Sequence, residues 1–540
     1  MNFDIIVRNG KIVDGAGNPA YLGDIATKDG KVAKIRIKIS GNAEREIDAS
    51  NMIVCPGFVD MHSHTDVILP IYSGMDAAVH QGITTAVVGM CGDGLAPVPV
   101  DKIELFKELF KIPAVGNIPI TWNSYSEYLD EMEKLKISAN VVFVLGFETV
   151  RIAGGPGFEN RSPTNEELEN MKQYVAEAME AGAFGMSTGL IYAPQVFAKT
   201  SEIIELTKVV GQYNGLYFSH IRDEGKNLLE AIKEFVEIVE KSGCIGGQIA
   251  HFKVAGQPFW GMSKESLHLV EEANKKGIDI TFDQYPYNRG QTSLVTALPP
   301  WAREGDPETI LNRIKDPEIQ KQIIEISSLE SDDWENWIKI DGFSHIYPTY
   351  FKKEEWKELA GKSITEISKL MGYNDDWETF FKILIEEKCE TSITIETMGE
   401  EDIRRIMTHR FQMFGTDSVA GKLLPGLKLN HPRTFGTYPR VLGKYVREEK
   451  LLTIEDAIRR MTSFPAQKLG LGDRGLLREG NWADLVIFEP DKISDKATFE
   501  EPHQFPEGIP YVIINGIVVI DDFKQKHKYP GKVLRRPNNL

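Results

Sequence analysis

The sequence predicts a (β/α)8 barrel with a small composite β-sandwich domain from both termini and a helical insertion before the eighth barrel strand. Three observations predict it. Eight short apolar runs in the middle of the chain end in glycine or polar residues and alternate with amphipathic stretches, both ends alternate apolar with polar residues, and the interval before the eighth run is too long for an ordinary connection.

At the amino end, FDIIVRNGKIV, YLGDIATKDGKVAKIRI and MIVCPGF have the period-two pattern of short strands turning at glycine or asparagine. ADLVIFEP and YVIINGIVVIDD repeat the style near the carboxyl end, so segments 1–55 and 476–540 are expected to pair into one sheet domain. The barrel is expected over 56–475. Its strands are read from IVCPGFVD, TTAVVGMCG, NVVFVLGF, AFGMSTGL, LYFSHIR, GGQIAHFK, DITFDQYPY and FQMFGTDS. Between them, NEELENMKQYVAEAMEAG, SEIIELTKVVGQYNG and NLLEAIKEFVEIVEKSG have helical periodicity, each closed by glycine or Asn-Gly as a helix C-cap would be. The stretch from about 290 to 410, with SSLESDDWENWIKI and EEWKELAGKSITEISKL, is the insertion, expected as a helical cover over the barrel's C-terminal face.

Composition narrows the function classes. A chain of 540 residues, 42% hydrophobic, builds a large core, and 62 Lys plus Arg against 79 Asp plus Glu give a net charge of −17. That balance argues against nucleic acid or an anionic membrane as the main partner and leaves a small-molecule substrate. Four cysteines without a CxxC pair make neither a disulfide framework nor a zinc ribbon. With no apolar run of about 18 residues, a soluble cytoplasmic protein is expected. Oligomeric state is not legible.

In such a barrel the chemistry sits where strands end. Six residues of metal-ligand type follow the apolar runs: His62 and His64 after the first, Cys91 after the second, His220 after the fifth, His251 after the sixth and Asp417 after the eighth. The i, i+2 spacing of His62 and His64 points both rings to one side of an extended backbone. Each residue alone has a bland explanation as strand cap, core thiol, interior histidine or helix cap. Together they converge on one barrel mouth, and nitrogen, sulfur and oxygen donors of this softness suit zinc better than magnesium or calcium. Three such ligands plus a water compose a catalytic zinc site, in which the metal brings the water's pKa towards about 7. A carboxylate beside that water takes its proton and delivers it to a leaving nitrogen, and Asp417 is the expected base.

PGFVDMHSHTD and GTDS resemble the amidohydrolase superfamily. GMCGDGLAP, GLIYAP, FSHIRDEG, IAHFKVAG, DQYPY and HPRTFGTYPRVLG narrow the resemblance to the D-aminoacylase (N-acyl-D-amino-acid deacylase) family, over about residues 1–520. The resemblance implies zinc-dependent hydrolysis of N-acyl-D-amino acids to a carboxylate and a free D-amino acid. It further implies one tightly bound zinc on Cys91, His220 and His251, and a possible second position on His62, His64 and Asp417. The cysteine replaces the carbamylated lysine of hydantoinases and dihydroorotases, and the strand-four segment AFGMSTGLIYAP has no lysine at its end. By the same carry-over Arg433 binds the substrate's α-carboxylate, with Tyr192 and Lys253 assisting, a role suited to the guanidinium's planar donor fork. Tyr285 and Tyr287 are expected as pocket walls. One departure stands out: Phe147 follows Gly146 where family members commonly have histidine, so either that histidine is dispensable or the pocket is altered. Arg289 adds a positive charge after YPY, expected to favour an acidic or polar substrate side chain. Cyclic-amide opening, hydrolysis of N-acyl dipeptides or L-substrates, and a non-catalytic barrel are the alternatives.

Overall fold

The computed structural model describes residues 2–110, 116–329, 334–419, 421 and 431–537. Eight parallel strands arise from the eight apolar runs: β1 (Phe58–Asp60), β2 (Ile83–Val88), β3 (Asn140–Phe143), β4 (Gly185–Gly189), β5 (Leu216–His220), β6 (Gly246–Ile249), β7 (Ile280–Gln284) and β8 (Gln412–Phe414). A two-residue strand, Leu145–Gly146, continues β3 and pairs with β4. The ring closes where Met61 N–H donates to Phe414 O at 3.2 Å and Asp417 N–H to His62 O at 2.7 Å. This last seam brings the ends of β1 and β8 side by side.

All six residues of β2 are buried, as expected of a strand covered on both faces, and its Ile-Thr-Thr-Ala-Val-Val sequence is rich in the β-branched residues that fill such a strand. Helices α1 (Asn165–Ala181), α2 (Thr200–Gln212) and α3 (Leu228–Ser242) occupy the periodic segments. A Thr164–Glu167 capping box starts α1, and left-handed Gly182 and Gly243 end α1 and α3.

Both ends of the chain enter one nine-stranded sheet, joined where Ile53–Pro56 pairs antiparallel with Leu485–Phe488. Ile5, Val7 and Ile25 from one end share a core with Leu485, Ile487 and Ile513 from the other. One piece of the carboxyl end goes elsewhere: Val533–Leu534 pairs with barrel strand β3, not with the terminal sheet.

Between β7 and β8 the insertion has its own core, including Leu294, Trp337, Phe380, Leu384 and Ile393. It is not purely helical. Arg289–Ser293, Ile346–Pro348 and Ser392–Glu396 form a three-stranded antiparallel sheet beside the helices. The first of these strands, RGQTS, is half-buried throughout and has no apolar alternation, so periodicity could not announce it. Among the described residues, no helix is long and apolar enough to cross a membrane.

Candidate metal centre and substrate cavity

A cavity of about 640 Å3 opens at the C-terminal ends of the barrel strands, under the insertion. All six expected ligand residues meet at its base. Cys91 Sγ lies 3.4 Å from His62 Nε2 and 3.5 Å from His251 Nε2. Asp417 Oδ1 lies 3.1 Å from His64 Nε2 and 3.2 Å from His62 Nε2. The rings of His220 and His251 pack edge to face with centroids 4.3 Å apart. Ligand atoms of His62, Cys91, His251 and Asp417 all lie within 4.8 Å of one another, and His220, Glu224 and His251 form a second such group. His251 is common to both, so the two expected ligand sets interleave instead of standing apart.

The backbone is arranged for this convergence at a cost. Cys91, His251 and Asp417, from three different strand ends, have φ of 55°, 34° and 48°, a left-handed region worth about 1–3 kcal/mol of strain for a residue with a side chain. A hydrogen bond beside each holds it: Gly92 N–H to Ser187 Oγ at 2.9 Å, His251 N–H to Asp283 Oδ1 at 2.8 Å, and Asp417 N–H to His62 O. Gly189 lets β4 approach, since a Cβ there would sit 2.1 Å from Cys91 O.

Electrostatics favour anions at the centre. Burial opposes the Cys91 thiolate, but His62, His251 and His220 outweigh it and hold the thiol well below its usual range. Asp417, despite burial, is likewise held well below the carboxylate range by Arg433, His62 and His251. Against its own burial, His62 is pushed up to about 10 by Asp417, Cys91 and Asp283. His220, chiefly through burial, is pulled down, and neither of its buried ring nitrogens has a hydrogen-bond partner. An unpartnered neutral imidazole beside a thiolate, a carboxylate and further imidazoles is the donor set that fits zinc.

Of the expected substrate contacts, Arg433, Tyr192, Lys253 and Tyr285 line the cavity. The Arg433 guanidinium stacks over the Tyr285 ring at 4.6 Å, and its Nη1 sits 2.7 Å from Asp417 Oδ2. Two expectations are corrected. Tyr287 does not line the cavity: its ring packs on His431 and Phe499, and its hydroxyl reaches Asp495 Oδ2 at 3.3 Å. Arg289 is no charge for a substrate either, because its guanidinium is sandwiched between Tyr347 and Phe499 and faces Glu396. Phe147 is fully buried in the main core and off the cavity surface.

Several important residues escaped the sequence reading. Asp283, in the apolar run ITFDQ, accepts from His62 Nδ1 at 3.1 Å. Asp93 Oδ2 lies 3.2 Å from His64 Nδ1. Glu224, four residues after His220, contacts His251 and Lys253. From the insertion comes Arg303, 4% exposed, whose guanidinium donates from Nη1 to Ile191 O at 2.6 Å while Nε has no partner. Burial pulls it down to about 10, still charged at neutral pH. Glu335, also from the insertion, lines the cavity with Arg303; burial, then Asp223 and Glu224, push its carboxyl well above the usual range. A lone carboxylate within an apolar strand was the available signal for Asp283; nothing in the local pattern distinguished Arg303.

The amidohydrolase family model matches residues 45–258 and 397–520, on either side of the insertion. The chain belongs to the amidohydrolase family. This amidohydrolase is 32% identical to an N-acyl-D-glutamate deacylase of Alcaligenes xylosoxydans xylosoxydans, over 99% of this chain and 97% of the relative. It is 31% identical to a D-aminoacylase of the same organism, over 99% and 98% of the two chains. It also superimposes on the crystal structure of N-acyl-D-glutamate deacylase from Bordetella bronchiseptica, complexed with zinc and a phosphonate inhibitor, with a TM-score of 0.81, 29% identity and coverage of 99% and 100%.

Proposed function

We propose that this amidohydrolase cleaves the amide bond of N-acyl-D-amino acids, giving a carboxylate and a free D-amino acid, and that its preferred substrates carry an acidic side chain. The supporting observation is one cavity that joins a buried thiolate–imidazole–carboxylate cluster to three buried cations, Lys253, Arg303 and Arg433. Relatives named for N-acyl-D-glutamate, N-acyl-D-aspartate and D-amino acids, each about 30% identical over nearly the whole chain, support the same activity.

Cys91, His220 and His251, with His62, His64 and Asp417 beside them, are the residues that would hold zinc, one ion tightly and a second where occupied. Bound there, zinc lowers the pKa of a water to near 7 and polarises the scissile carbonyl. Asp417 accepts the proton of the attacking water and passes it to the leaving nitrogen. Arg433, through donors such as its unpartnered Nε, takes the α-carboxylate with Tyr192 and Lys253, which fixes the acyl group over the cluster. Tyr285 forms the wall beneath Arg433. Arg303, buried on the wall of the same cavity, meets a side-chain carboxylate.

All four cysteines are free thiols, which suits a reducing, cytoplasmic compartment. The test is a panel of N-acetyl-D- and L-glutamate, aspartate, leucine and methionine, beside hydantoin and dihydroorotate. N-acetyl-D-glutamate or D-aspartate is expected to give the highest kcat/KM. Arg303→Met is expected to lower that value by about 10–100-fold, the loss of a charge-assisted hydrogen bond, while leaving N-acetyl-D-leucine little changed. A preference for L-substrates, neutral side chains or cyclic amides would overturn the reading.

A further inference from the structure

Two charged side chains, Glu224 and Lys253, meet at one ring nitrogen of His251. Glu224 Oε1 lies 2.9 Å from His251 Nδ1 and 2.5 Å from Lys253 Nζ, and Lys253 Nζ lies 2.6 Å from the same Nδ1. All three side chains are buried. For a neutral imidazole this leaves two proton arrangements. If Lys253 donates to Nδ1, the ring proton sits on Nε2; if Nδ1–H donates to Glu224, Nε2 keeps its lone pair. Nε2 is the nitrogen facing Cys91 Sγ at 3.5 Å, so only the second arrangement lets His251 bind a metal shared with the thiolate. Left alone, the lysine would hold the ring in the wrong tautomer.

We propose that Glu224 is a positioning residue that fixes the Nδ1–H tautomer of His251 and, with the same oxygen, draws the Lys253 ammonium away from the ring. The proposal rests on the ligand set given above for His251 but not on the identity of the substrate. Glu224 is itself anchored, its carbonyl oxygen accepting the Ala255 N–H at 2.7 Å. Its second oxygen is 3.6 Å from His220 Nε2, beyond hydrogen-bond reach. A purely structural role, neutralising a buried lysine, predicts no tautomer effect.

The experiment measures zinc affinity of metal-stripped protein by competition with a chromophoric chelator, with melting curves of the same samples. Glu224→Leu is expected to weaken zinc binding by about 10–100-fold, the usual consequence of losing a carboxylate partner of a ligating histidine. Glu224→Gln, which keeps an oxygen acceptor, stays close to wild type. The double variant Glu224→Leu/Lys253→Met recovers most of the loss, because the competing donor has gone. A double variant no better than Glu224→Leu alone, or Glu224→Leu with undiminished zinc affinity, overturns the proposal. So does Glu224→Gln losing zinc as completely as Cys91→Ala, since Glu224 is then a direct ligand. Should Glu224→Leu not fold, long-range 1H–15N spectra of zinc-free wild type, assigned by the signals lost in His251→Gln, decide the matter: a ring proton on Nδ1 is expected, and one on Nε2 refutes it. Retention of zinc by Cys91→Ala would instead sink the ligand set.

Discussion

Asp283 accepts the ring Nδ1–H of His62 at 3.1 Å, and the same oxygen takes the backbone N–H of His251 at 2.8 Å. One carboxylate on β7 therefore turns Nε2 of His62 towards Cys91 and Asp417 and pins the strained turn at His251. Gln248 Nε2, donating to its other oxygen at 3.0 Å, keeps it from rotating.

Removing that carboxylate is expected to loosen the metal without touching a ligand. Asp283→Ala should lower zinc affinity by about 10–100-fold in a chelator competition. Full affinity would show that the strand ladders alone orient His62.

Asp417→Asn keeps the volume and loses the charge. The fold should persist while kcat falls by about 10²–10⁴-fold, the range for removal of a general base. Steady-state kinetics on N-acetyl-D-glutamate check this, and near-normal turnover removes Asp417 from proton transfer.

His80 supplies a pH dependence of stability away from the cavity. Its ring stacks on Phe505 with centroids 4.0 Å apart, and burial, aided by His527, pulls it down to about 4. The unfolded chain, with a histidine near 6.5, then binds more protons than the folded one between about pH 4 and 6.5. The stabilisation is complete above the unfolded value and is lost as pH falls through the folded one, by at most about 3 kcal/mol. Melting temperatures at pH 7 and 4.5 should differ less in His80→Gln than in wild type; equal differences would exclude this histidine as a cause.

Phe147 is expected to matter for packing, not for selectivity. Phe147→Ala should cost about 3–5 kcal/mol, read as a lower melting temperature, with an unchanged ratio of kcat/KM between acidic and neutral substrates. A shifted ratio with unaltered stability would return this position to the pocket.

Which features the sequence disclosed follows from how local their causes are. The eight barrel strands were legible because each is a contiguous apolar run, and α1 and α3 because Gly182 and Gly243 close them. The six ligand-type residues were legible because strand ends in a barrel share one mouth. Tyr287 and Arg289 were misjudged because neighbours in sequence leave the backbone in different directions: Tyr285 faces the cavity, whereas Tyr287 meets His431 and Phe499. Arg303 and Glu335 could not be found from pattern, since their approach to the barrel depends on how the insertion folds. The pairing of Val533–Leu534 with β3 likewise rests on two half-buried residues far along the chain, with no periodic signal of their own.

That insertion, with a core of its own, hangs between β7 and β8 and contributes the Gly290–Ser293 edge, Arg303 and Glu335 to the cavity, whereas the thiolate, imidazoles and Asp417 come from the barrel strands. Under the proposed acidic preference, part of the choice of what is cleaved rests on this insertion, while bond cleavage rests on the barrel. Exchanging residues 289–396 for those of a relative with different tastes should transplant preference while leaving the hydrolytic apparatus whole.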